Sequence, residues 1–107
     1  MAMMRPLLIA LALAAAVPAA AVTLDERGCA AYASWSGNLV WARGLGADKA
    51  KAHAEIVALD REQPGTIYQL LLRDFDALWR TTADWRAVML ATYRDCVLRR
   101  GQYGTDA

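Results

Sequence analysis

Residues 66–80 read TIYQLLLRDFDALWR. Ile67, Leu71, Phe75 and Leu78 recur at steps of four, four and three, with Leu70, Leu72 and Trp79 beside them. That period lays an apolar stripe along one side of an α-helix; a half-buried strand would alternate every second residue. Thr66 stands in the N-cap position. Asp76 and Arg80 lie four apart, in the order that favours a surface pair. The stretch predicts a helix over 67–80 whose apolar side must be covered by other elements.

The flanking sequence supplies those elements. Upstream, Pro64-Gly65 closes a helix predicted over 49–62, with Asp48 as its cap. Ala50, His53, Ala54 and Val57 make its stripe, flanked by Ile56 and Leu59. Further back, Thr23-Leu24-Asp25-Glu26 has capping-box spacing, with Thr23 as N-cap. It opens a helix predicted over 24–43, with Cys29, Tyr32, Ser36, Leu39 and Val40 on one face. Gly44 and Gly46 stop it. Downstream, Thr81 or Thr82 caps a fourth helix, and Asp84 sits in the first turn where the helix dipole favours it. Trp85, Val88, Met89, Thr92 and Cys96 share a face, and Gly101 ends the helix after residue 100. Residues 102–107 read as a frayed, disordered tail. The prediction is an all-α domain over 22–101: a small bundle of about four short amphipathic helices, with short connections that favour antiparallel neighbours.

The first 21 residues have a different character. Arg5 is the only charge before Asp25, residues 7–17 are an unbroken apolar run, and Pro18 breaks it. Ala19 and Ala21 then supply small residues at −3 and −1 of a cleavage point between Ala21 and Val22. This is the layout of a secretory signal peptide over 1–21, a helix that is removed on export. The competing reading is an uncleaved membrane anchor. It is weakened by the alanine-rich composition and by Pro18, because a span needs about 20 strongly apolar residues. No stable membrane anchor is expected after cleavage, and the expected location is the periplasm or the medium.

All eleven Asp and Glu follow residue 21, as do eleven of the twelve Lys and Arg, so the processed chain has no net charge. A nucleic-acid binder needs a basic excess to displace counterions, and none is present. Nor does the balance supply a polybasic membrane patch.

Cys29 and Cys96 are the two cysteines, which leaves one intramolecular pairing. An exported domain under 100 residues has a limited core and gains from such a staple. The bridge would close a loop of about 67 residues and contribute about 4 kcal/mol in the chain-entropy account. Both cysteines fall on the apolar faces of their predicted helices, so the bridge and the bundle support each other.

Other chemistry is thin. His53 is the single histidine. On its apolar stripe it reads as a partly buried residue with a backbone or carboxylate partner. Three or four ligands are needed for a metal, and oxidised cysteines are excluded as ligands. The Cys-x-x-Cys-His of covalent haem attachment is missing, and His53 with Met89 is an axial pair by residue type alone. No cofactor is expected. Asp74 and Asp76, like Asp60 and Glu62, are two apart and point to different sides of a helix, so they read as a solvated charged face. No catalytic constellation assembles, and an enzyme is not expected.

Trp35, Trp41, Trp79 and Trp85 are many tryptophans for so short a domain. Trp35 and Trp41 lie off the Cys29–Leu39 stripe. With the neighbouring Arg43 they form the candidate binding residues for a protein or a glycan. The alternative is that they fill a small core. The segment Trp41-Ala42-Arg43-Gly44-Leu45-Gly46-Ala47-Asp48, set between a cysteine that opens an amphipathic helix and one in the last helix, resembles a loose class of small exported helical proteins of Proteobacteria. The resemblance spans residues 29–96. It implies a signal peptide, a helical fold and a Cys–Cys link, and carries no activity or catalytic residues. The expected function is a non-catalytic binding or accessory module of the cell envelope, with an envelope protein or other envelope component as partner. A periplasmic stress chaperone or inhibitor is the alternative.

Overall fold

The computed structural model describes residues 21–104. Residues 1–20 of the signal segment predicted over 1–21, and residues 105–107 of the tail, lie outside the described residues. The elements in order are β1 (Val22–Thr23), α1 (Glu26–Gly44), α2 (Lys49–Glu62), α3 (Ile67–Arg80), α4 (Trp85–Leu98) and β2 (Gln102–Tyr103). The architecture is the expected one of four helices, with Cys29 and Cys96 bridged between α1 and α4 at a Cα–Cα distance of 5.6 Å.

α1 is central. It packs against α4 and α3, and α2 packs on α3. α1 and α4 run antiparallel, since Cys29 meets Cys96 while Gly37 meets Trp85 and Met89. Gly37 sets how close they come: a Cβ there would stand 3.0 Å from the Trp85 carbonyl oxygen and 3.1 Å from Met89 Cβ. The stripe of α3 is buried as its period requires, with Leu70 and Leu71 at 0% exposure and Phe75 at 2%. Side chains of this kind stabilise by about 1.5–3 kcal/mol each when fully buried. Leu39, Val40 and Ile56 join them in the same core.

Several local expectations are corrected. Thr23 does not cap α1; it belongs to β1 and pairs with Gln102. Asp25 is the N-cap, its carboxylate accepting from Gly28 N at 2.7 Å. Thr81 ends α3 instead of starting α4, and Asp84 caps α4 by accepting from Arg86 N. On α2 the core-facing residue is Ile56, with Ala52 packed beside the core, not the Ala50–His53 stripe. α2 packs chiefly on α3, so only a narrow strip of it is buried. His53 is exposed and lies edge-on to Phe75, 4.9 Å between ring centroids.

The tail is the largest correction. Gln102 and Tyr103 form β2, antiparallel to β1 in the register Val22↔Tyr103 and Thr23↔Gln102. Val22 is 0% and Tyr103 4% exposed. A two-residue ladder is weak alone. Here it is anchored by these two buried side chains and by the turn before it. In that turn Gly101 N donates to the Cys96 carbonyl and Arg100 N to the Val97 carbonyl, a Schellman closure of α4. Gly101 then accepts from Leu24 N at 2.8 Å. Its φ is +69°, and a Cβ there would lie 1.8 Å from the Leu24 carbonyl oxygen, so only glycine fits.

Candidate functional site

The three binding candidates separate in space and in role. Trp35 is half-buried against the core and meets Tyr68 edge-on at 5.7 Å. Core filling accounts for it. Arg43 is also occupied. Its Nη1 donates to the carbonyls of Leu78 (3.4 Å), Trp79 (3.2 Å) and Thr81. Those are carbonyls at the end of α3 that lack partners within their own helix, at the negative end of its dipole. Arg43 therefore ties α1 to the C-terminus of α3, and its charge is spent there.

Trp41 is different: it is 52% exposed. With Asn38, one turn earlier on α1, and Trp85 at the start of α4 it lines an open recess of about 280 Å³. A neighbouring recess of about 330 Å³ continues past Leu45 to Asp84. Gly37 lets the first turn of α4 approach α1 and so brings Trp85 to this surface. The Arg86 guanidinium sits 4.8 Å from the centroid of the Trp85 ring, which restrains that indole. One exposed indole, one restrained indole and a primary amide can bind a flat apolar ligand with hydrogen-bonding edges. They offer no nucleophile or general base.

A second cluster was not visible in the sequence. The Tyr32 hydroxyl donates to Asp74 Oδ2, Arg73 Nε reaches Asp74 Oδ1 at 2.8 Å, and Arg73 Nη2 donates to the Tyr32 oxygen at 3.2 Å. Tyr103 meets Tyr32 edge-on at 5.8 Å, and the guanidinium groups of Arg73 and Arg99 lie 5.4 and 4.5 Å from its ring centroid. Asp74 is therefore half-buried and bonded, which corrects its reading as part of a solvated face. Burial, reinforced by the bond to Asp74, pushes the Tyr32 hydroxyl far above the ordinary tyrosine range. Burial also raises Tyr103. The hydrogen bond to Asp74 holds Arg73 in its charged form. The hydroxyls stay protonated and the guanidinium stays charged at neutral pH, so the cluster clamps α1, α3 and β2 together and is not an acid–base pair.

Among the described residues no three His, Cys, Asp or Glu side chains gather to hold a metal ion, and no helix is long and apolar enough to cross a membrane. The chain matches no protein-family model, no curated protein and no solved structure.

The signals for what was missed are modest. The β-branched pair Val22-Thr23 and the lone aromatic Tyr103 marked the strand pair. Gly37 inside a helix marked a close helix–helix approach. Neither signal names its partner.

Proposed function

We propose that this chain is a non-catalytic binding or accessory module of the cell envelope, and that the recess between Trp41 and Trp85 is its contact surface. The observation that carries the reading is a large indole left half-exposed beside a second, restrained indole. Binding sites commonly centre on such aromatic anchors. Export to the periplasm or the medium is part of the same proposal. The Cys29–Cys96 bridge supports it, because disulfides persist in oxidising compartments.

The test is affinity capture from an envelope extract, with the oxidised protein and its Trp41→Ala variant as paired baits. The expected result is a component retained by the first and lost with the second. Equal retention by both overturns the assignment of the surface. Intact-mass analysis of exported protein is expected to show a chain beginning at Val22, and a product still carrying residues 1–21 overturns the export reading.

A further inference from the structure

α4 is apolar on two sides, and one of them is uncovered among the described residues. The side toward α1 carries Trp85, Val88, Met89 and Cys96. On the outward side Leu98 is 78% exposed, Leu90 59% and Val97 46%. They are among the most exposed large apolar side chains of the described residues. Leu90, Val97 and Leu98 stand at i, i+7 and i+8, one continuous helix face, and line an open recess of about 280 Å³ with Tyr93 and Arg94. A helix apolar on both sides is normally covered on both.

The charges around this face say what covers it. Arg94 lies within it, Arg86 toward its start and Arg100 just past its end, and all three are exposed. Asp95 is the one carboxylate inside α4, and it is paired with Arg99 at 3.1 Å. Asp84, the cap at the start of α4, stands two residues before Arg86, and Asp25 and Glu26 at the start of α1 lie across the recess that Val97 and Arg100 also line. The carboxylates of Asp25 and Asp84 are engaged as helix caps, and Arg94, in the middle of the apolar face, has no ion pair among the described residues.

We propose that the outward face of α4 docks on an anionic lipid surface. A second copy of the chain is disfavoured, because isologous pairing of this face sets arginine against arginine. A convex helix with leucines and arginines interspersed suits a planar surface, where apolar side chains enter the headgroup boundary and guanidinium groups meet phosphates. Each arginine near such a surface strengthens binding about fivefold. The contact is peripheral and needs no membrane-spanning segment. The contact does not involve Trp41, and only Arg86, which also rests on the Trp85 ring, is shared with the Trp41 recess.

The experiment is co-sedimentation of the oxidised protein with vesicles of phosphatidylglycerol and phosphatidylcholine in equal parts, and with phosphatidylcholine alone. Variants with Arg94→Glu, and with Leu90→Glu and Leu98→Glu together, are compared with the parent chain carrying the same N-terminus. The altered side chains are exposed, and circular dichroism checks that each variant is folded. The expected result is binding to the anionic vesicles that weakens steeply with added salt, falls at least tenfold with Arg94→Glu and is lost in the double variant. Trp41→Ala is expected to bind as the parent does. Equal binding to neutral vesicles, no vesicle binding, or binding unchanged by the α4 variants overturns the proposal. So does a dimer in sedimentation velocity that the double variant abolishes, which assigns the face to a second copy.

Discussion

The two ends of α1 are held by different means. At its start, covalent and backbone links converge within a few residues. Cys29 is bridged to α4, Leu24 donates to Gly101, β1 pairs with β2, and Tyr32 is clamped by Asp74 and Arg73. At its finish a single side chain, Arg43, links it to the last carbonyls of α3, while Trp41 and Leu45 face outward at 52% and 69% exposure. The closed end carries the buried aromatic and polar network, and the open end carries the candidate contact surface. Stability and accessibility are thereby assigned to opposite ends of one helix.

The contrast is most strongly tested at the bridge. Cys29→Ser is expected to lower unfolding free energy by about 4 kcal/mol in denaturant titrations. Adding Cys96→Ser should cost little more, because both changes remove one bond. A loss near zero would mean that the strand pair and the Tyr32 clamp hold the closed end unaided. Gly101→Ala comes next, at about 3 kcal/mol, from a backbone clash with Leu24 together with the left-handed conformation. Thermal unfolding reads it, and a neutral result would show that β1 and β2 are dispensable.

At the open end the expected effects shrink. Arg43→Met keeps the aliphatic stem but removes the charged donor, and should cost about 2 kcal/mol in chemical unfolding. A cost equal to that of Cys29→Ser would erase the distinction between the ends. The smallest effect is a gain. Both α1 and α4 finish in a Schellman turn, with Gly46 at φ +87° in the left-handed position of the first and Arg100 at φ +54° in that of the second. Arg100→Gly is expected to raise stability by about 1 kcal/mol, because glycine takes that conformation without penalty. A destabilised variant would show that the Arg100 side chain has a stabilising contact at the closed end.

The regular elements were legible because their signals are local. Asp48 followed by an apolar-periodic run and Pro64-Gly65 marks α2 to the residue, and the Ile67–Leu78 period marks α3 equally well. Cap positions were read less well where two candidates competed. Asp25 outdoes Thr23, which is drawn into β1, and Asp84 outdoes Thr81, which closes α3, and Thr82. Of the candidate site, Trp41 was recognisable as lying off the core stripe. The occupation of Arg43 was not, because its acceptors are backbone carbonyls 35 to 38 residues away.

The sequence by itself determined the four helices, the core-facing stripes of α1, α3 and α4, and the pairing of Cys29 with Cys96. Periodicity and caps act within a few residues, and two cysteines allow one intramolecular bond. Tertiary structure alone decided that Tyr103 returns to the start of the chain, that Asp74 leaves the surface to bind Tyr32, and that α4 keeps a second apolar face uncovered. Each of these depends on which residues from distant parts of the chain meet. The energy of such contacts comes from burial and geometry, and a one-dimensional pattern of residue types does not encode them.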